Sequence, residues 1–275
     1  GLGMTTDPIS KIVACNLCTG CGGCAGAFPE FIKMVDDAEH GRRPVVEPSV
    51  EGQRAAVAAA SYCAGGGTDW GSLSQKDEID QAWGPVLATW EGWASDAEIR
   101  HRGSSGGAVT ALSQFALTSS VASGVAHVAA KVDDPRLNEA VISHDLDGLM
   151  RGAGSRYAQA SPAEAIGKIK QDGEQIAFVG KPCDVASVAK SMKADPQLAA
   201  NIPLTIAIFC AGAPNLVATQ SLLDRLGVPK DVCLTDLRYR GQGWPGLMQA
   251  EWENSDGSRS LSQGISYAEG WGSIL

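Results

Sequence analysis

The stretch CNLCTGCGGC, residues 15–24, places Cys15, Cys18, Cys21 and Cys24 at a strict three-residue repeat. Three cysteines spaced C-x2-C-x2-C wrap around one corner set of an iron-sulfur cubane, and the fourth ligand then comes from elsewhere in the chain. Gly20, Gly22 and Gly23 let backbone amides turn inward toward sulfur, which stabilises an anionic cluster. The run is not that of a bacterial ferredoxin, whose fourth cysteine precedes proline, because Cys24 is followed here by Ala25. Four cysteines this close do not all ligate one cubane, and Cys63, in a glycine-rich turn, is the leading remote ligand. A tetrahedral zinc site is the alternative, although its C-x2-C pairs usually stand about a dozen or more residues apart.

Eight cysteines in 275 residues, five of them within the first 63, point to metal or redox chemistry rather than disulfides in a reducing cytosol. A cytoplasmic location is expected. Asp7 and Lys11 interrupt any signal-like apolar start, and no run approaches the ~20 apolar residues of a membrane span. The formal net charge of −9, with no Lys/Arg block, argues against nucleic-acid binding. The high glycine count of 33 and the low aromatic share of 6% suit a loop-rich α/β protein. The Gly-Leu-Gly before Met4 resembles a tag remnant and is left out of fold reasoning.

Residues 4–67 read as a small cysteine-bearing N-terminal module, and residues 84–275 as an α/β domain. In the latter, PVLATWEGW reads as a strand and GGAVTALSQFALTSS as a helix. GVAHVAAKV (124–132) and EAVISH (139–144) read as paired strands. SPAEAIGKI predicts a helix with Ser161 as N-cap, Pro162 at its first position and Glu164 completing a capping box. A strand at QIAFVG (175–180), a helix from 184 to about 193, a strand at IPLTIAIFC (202–210) and a helix ending at Gly227 follow. This alternation predicts an α/β fold with a mainly parallel sheet and crossover helices, preceded by the Cys-rich iron-sulfur module.

Cys183 and Cys210 each fall at the carboxyl end of a predicted strand, joined by one crossover helix, and are expected to lie close together where open parallel sheets bind ligands. Two buried apolar thiols are the competing reading. Cys233 reads as an ordinary core cysteine. HRGSSGGAVTAL (101–112) is a Gly/Ser turn opening a helix, suited to a phosphate and equally to a tight structural turn. In GAGSRYAQ, Ser155 and Arg156 are candidates to contact phosphate and Tyr157 to stack on a flat ring, against a polar loop with a packed tyrosine. Lys181, beside Cys183, is either a ligand contact or a solvated charge. RYRGQGWPGL (238–247) groups Arg238, Arg240 and Trp244 either at a cofactor mouth or on an exposed loop. No histidine joins a nucleophile motif.

Taken in order, LCTGCGGC, RGSSGGAVTAL, GSRY, GKPCD, FCAGAPN and RYRGQGWPG resemble the coenzyme F420 hydrogenase/dehydrogenase beta subunit family, which includes 7-hydroxymethyl chlorophyll a reductase and the ferredoxin-dependent divinyl reductase. The resemblance runs over about residues 13–275. It implies an oxidoreductase that contains FAD and passes electrons between 4Fe-4S clusters and the flavin, which exchanges a hydride with coenzyme F420 or another small substrate. A non-catalytic electron-transfer or assembly subunit is the alternative. By motif match Cys18, Cys21, Cys24 and Cys63 hold the first cluster, with Cys15 a spare. Gly103, Ser104, Ser105, Gly106, Gly107, Ser155, Arg156, Tyr157 and Lys181 match the flavin side. Cys183 and Cys210 match ligands of a second cluster whose remaining pair lies beyond YAEGWGSIL in relatives, so the chain is expected to be a fragment. Ferredoxin or a partner subunit is the implied electron donor.

Overall fold

The computed structural model describes residues 7–67, 79–80 and 84–271. Its first helix, α1 (Pro8–Ala14), starts where a proline follows Asp7, whose carboxylate accepts the Ser10 amide at 2.8 Å. The cysteine loop leads into the short α2 (Gly23–Ala27) through Gly22, whose φ of 85° only glycine adopts cheaply. A hairpin of β1 (Ile32–Asp37) and β2 (Gly41–Val46) and the Ser49-capped α3 (Val50–Ala59) complete the segment. Ile9, Cys24, Ala25, Ile32, Ala56 and Ala59 bury one another in a small core of their own.

A two-residue pair, β3 (Ile79–Asp80) with β4 (Gly84–Pro85), precedes the larger part of the chain. The strand expected over PVLATWEGW does not extend past Pro85. Leu87 and Trp90 are 82% and 90% exposed, so the apolar run that suggested a strand has no sheet to bury it. Next come α4 (Ala97–Arg102), α5 (Ala108–Thr118), β5 (Gly124–Ala130), β6 (Asn138–Ser143) and α6 (Leu146–Arg151). They are followed by α7 (Ala165–Asp172), β7 (Ile176–Gly180), α8 (Pro182–Ala194), α9 (Pro196–Asn201) and β8 (Thr205–Ala207).

These strands form one sheet in the order β6-β5-β7-β8. The β5–β7 and β7–β8 pairs are parallel, as crossover helices require, and every residue of β7 is buried. The β5–β6 pair is antiparallel, because the seven residues between strands allow a hairpin return and no crossover. The sheet is therefore mixed, and among the described residues parallel pairing is confined to β5, β7 and β8. The second sheet is antiparallel throughout. It follows α10 (Leu216–Arg225) and comprises β9 (Cys233–Arg238), β10 (Leu247–Glu253), β11 (Arg259–Leu261) and β12 (Ile265–Ser266), with α11 (Tyr267–Trp271) last. Cys233 opens β9 and is exposed, not part of a core. Among the described residues no helix is long and apolar enough to cross a membrane.

The capping box expected at Ser161 is used differently. Ser161 makes no cap bond to its own helix; its hydroxyl donates to the Gly20 carbonyl at 2.6 Å and accepts from Arg42 Nε at 2.9 Å. Glu164 accepts from Arg42 Nη2 at 2.7 Å, and Asp36 accepts from Nη1 at 2.9 Å. The helix-start residues therefore fasten the cysteine loop and β2 to the central sheet's helices, and α2 lies against the turn that leads into α7 so closely that a side chain at Gly26 would meet the Ala163 carbonyl at 2.4 Å.

Candidate functional site

Cys18, Cys21, Cys24 and Cys63 line one small cavity, together with Ile9, Ile12, Met34 and Pro44. Cys15 lies outside it and is exposed. Three of the sulfurs have a backbone amide on them: Gly20 at Cys18, Gly23 at Cys21 and Ala25 at Cys24. Burial pushes the Cys24 thiol up to about 12 and the Cys21 thiol up to about 11; at Cys24 the neighbouring Cys21, Cys63 and Cys18 push further in the same direction. Burial also raises Cys18, against the Gly20 amide and Arg43. No disulfide joins these cysteines. Among the described residues no three His, Cys, Asp or Glu side chains group tightly enough to hold a single metal ion. Four thiols from two segments, around a shared apolar hollow and with amides directed at sulfur, are a donor set that fits an iron-sulfur cluster.

The carboxyl end of β7 abuts this cavity. Burial raises the half-buried Cys183 thiol on the first turn of α8; Asp184 and, more weakly, Cys210 act the same way, and Lys181 and the Thr19 side chain oppose them. Cys210 lies beyond the end of β8 at Ala207 and is exposed. Lys181 Nζ and the Lys181 amide both donate to Asp184 Oδ2 at 2.7 Å, and Asp184 is fully buried. Burial raises the Asp184 carboxyl above its ordinary value, with Lys181 opposing. Lys181 is accordingly a fixed, internally paired charge.

A second cluster gathers three glycine-bearing loops around the Arg102 carbonyl. In the 103–107 turn Gly106 and Gly107 have φ of 68° and 71°, and Ser105 has 51°. A side chain at Gly107 would meet the Ile99 carbonyl at 2.7 Å, and one at Gly106 would meet Trp93 Cβ at 2.9 Å, so packing alone demands glycine at both. Ser104 Oγ hydrogen-bonds Ser155 Oγ at 2.7 Å, joining two segments that are 51 residues apart. No side chain caps α5, and Ser105 is exposed beside its first turn. From the third loop, the Gly243 amide donates to the His101 carbonyl at 2.8 Å, and a side chain at Gly241 would stand 2.3 Å from the Arg102 carbonyl.

Arg156 is anchored within the fold: Nε donates to Asn138 Oδ1 at 2.7 Å, Nη1 to the Leu237 carbonyl at 2.7 Å and Nη2 to the Pro135 carbonyl at 2.5 Å. Its guanidinium also lies over the Tyr239 ring. Tyr157 packs edge-on against Tyr239 and tilted against Tyr267, whose ring Arg240 covers at 5.2 Å. Reasoning from sequence pointed to neither Arg42, Ser161 and Glu164 as fasteners nor Ser187 and Lys190 as neighbours of the cysteines. Only the pairing of Ser161 with Glu164 carried a signal, and it signalled a helix start.

Comparison with known proteins supplies the class. The sequence matches the coenzyme F420 hydrogenase/dehydrogenase beta subunit N-terminal region over residues 89–167 and the same subunit's C terminus over residues 173–266. The chain belongs to the coenzyme F420 hydrogenase/dehydrogenase beta subunit family. A chain in the F420-reducing NiFe hydrogenase complex of Methanosarcina barkeri is similar at 17% identity and a TM-score of 0.48, over 66% of this chain and 60% of that one. This chain therefore spans 60% of that relative's length.

Proposed function

We propose that this chain is a flavin-dependent iron-sulfur oxidoreductase in which Cys18, Cys21, Cys24 and Cys63 hold a 4Fe-4S cluster and the loops around Arg102 seat FAD. The observation that carries the reading is the shared cavity of those four sulfurs, with amides of Gly20, Gly23 and Ala25 directed at three of them. A cluster passes single electrons while a flavin accepts one or two, so together they supply conversion between electron transfer and hydride exchange. The chain's own residues bind and orient. Ser104 and Ser155 lock the 103–107 turn, leaving the uncapped first amides of α5 to face an anionic group. Arg156 fixes the segment that presents Tyr157, and Lys181, held by Asp184, keeps a positive charge at the carboxyl end of β7. Cys183, on the first turn of α8, and Cys210, beyond the end of β8, are two donors for a second cluster.

The substrate in this reading is coenzyme F420 or another small hydride acceptor, and the electron donor is a ferredoxin or a partner subunit. One observation favours a simpler electron-transfer subunit without flavin: packing accounts for the glycines at 106 and 107, and Arg156 and Lys181 are paired internally. Anaerobic purification with iron, sulfide and flavin assays decides between them. About four irons with one flavin per chain support the first reading. Iron without flavin supports the second, and a colourless zinc protein overturns both. Reoxidation of the bound flavin by coenzyme F420, tetrapyrroles or nicotinamides then identifies the acceptor class.

A further inference from the structure

Helix α8 turns one face toward the cysteine cavity. Ser187, one turn beyond Cys183, is fully buried, and its hydroxyl occupies the space where a side chain at Gly23 would be, 2.0 Å from that ideal Cβ. It donates to the Tyr62 carbonyl, immediately before Cys63, at 2.9 Å. Burial raises the Cys21 thiol, and the Ser187 hydroxyl beside it acts in the opposite direction. Lys190, three residues on, donates from Nζ to the Cys63 carbonyl at 2.7 Å. One helix therefore joins the two segments that bring the four sulfurs together. A hydroxyl has one proton, and here it faces two acceptors, a carbonyl oxygen and a sulfur. A metal-bound thiolate is the stronger acceptor of the two because the bond is then charge-assisted. Hydrogen bonds to ligand sulfurs favour the reduced, more negative state of a cluster.

We propose that Ser187 is a positioning residue of the cluster site, its hydroxyl wedged between Gly23 and the Tyr62 carbonyl so as to hydrogen-bond the Cys21 sulfur and raise the reduction potential of the group held there. This rests on the cluster reading above. The test uses the full chain prepared anaerobically, with potentials measured by spectroelectrochemical titration and iron content measured on the same samples. Ser187→Ala should keep its iron and shift the reduction equilibrium about tenfold toward the oxidised form, which is about 59 mV for a one-electron couple. Ser187→Thr, which retains the hydroxyl, should titrate with the unaltered chain. So should Ser191→Ala, whose equally buried hydroxyl donates only to the Ser187 carbonyl, at 2.9 Å. An unaltered potential in iron-loaded Ser187→Ala, or an equal shift in Ser191→Ala, overturns the inference alone. If the alanine chain loses its iron, Ser187→Thr decides: iron bound at the unaltered potential supports the role, and loss of iron there too refutes it. An unaltered chain that takes up no iron overturns the cluster reading itself.

Discussion

Replacing Gly23 with alanine tests how tightly the cysteine loop is pressed onto α8. The new Cβ would lie 2.0 Å from Ser187 Oγ, where ordinary contact begins at 3.4 Å, so one side must move by about 1.4 Å. Neither side moves easily, since Ser187 is fully buried on a thirteen-residue helix and α2 is pinned by Gly26 against the Ala163 carbonyl. Overpacking of this kind costs about 1–3 kcal/mol. Alanine regains about 0.5–1 kcal/mol over glycine in a helix, because Gly23 needs no left-handed backbone. The net expectation is a loss of about 1–2 kcal/mol in urea unfolding followed by circular dichroism. Ser187→Ala alone should cost about 1 kcal/mol by leaving the Tyr62 carbonyl without its donor. In the double variant the nearest atom becomes the residue-187 Cβ at 3.2 Å, which needs a shift of only a few tenths of an ångström. The double variant should therefore lose at least about 1 kcal/mol less than the sum of the two single changes. A Gly23→Ala chain as stable as the unaltered one, or costs that add to within about 0.5 kcal/mol, would show that the contact is not close and refute the reasoning.

Cys18→Ser should abolish the visible absorption of the iron-loaded protein while Cys15→Ser leaves it intact, read on anaerobically prepared samples; the reverse result would reassign the ligands. Arg42→Met removes a guanidinium that serves Asp36, Glu164 and Ser161, and should cost about 2–3 kcal/mol in urea unfolding, the carboxylates keeping a third of their surface in water. Adding Glu164→Gln should recover part of that loss, and a chain unaffected by Arg42→Met would mean the fastening carries no load. Burial holds the His127 imidazole below its ordinary 6.5, with Arg151 acting the same way. The unfolded chain then binds the proton more readily, so this contribution to stability is complete above about pH 6.5 and is lost as pH falls through the folded value. His127→Gln should flatten that acid slope in melting temperature measured against pH, and an unchanged slope would assign it to other groups.

The elements most legible in the sequence are those whose local chemistry and tertiary role coincide. β7 is an unbroken apolar run and is buried throughout, and α10 ends in a left-handed Gly227 as its composition implies. The pairing of 124–130 with 138–143 could be read from alternation, but the share of parallel pairing could not, since pairing direction depends on connections between strands. The segment after Pro85 misled because its tryptophans and leucine suit a strand only when a sheet covers them. Ser161 and Glu164 match a capping box by spacing, yet their partners are Gly20 and Arg42, more than 100 residues away in the chain. The same limit hid Ser187: nothing in a lone serine on a helix announces that a glycine 164 positions earlier will be folded against it.

The Arg102 carbonyl has a consequence for how a protein like this can diversify. Backbone at Gly241 and Gly154 stands near one peptide oxygen at the root of the 103–107 turn, with no volume between them for even a methyl group at Gly241. Lengthening or shortening any of those loops would displace the other two along with it. Variation at these loops is therefore expected to be written in the outward side chains, such as Ser105 or Trp244, while the path of the main chain beneath stays constant.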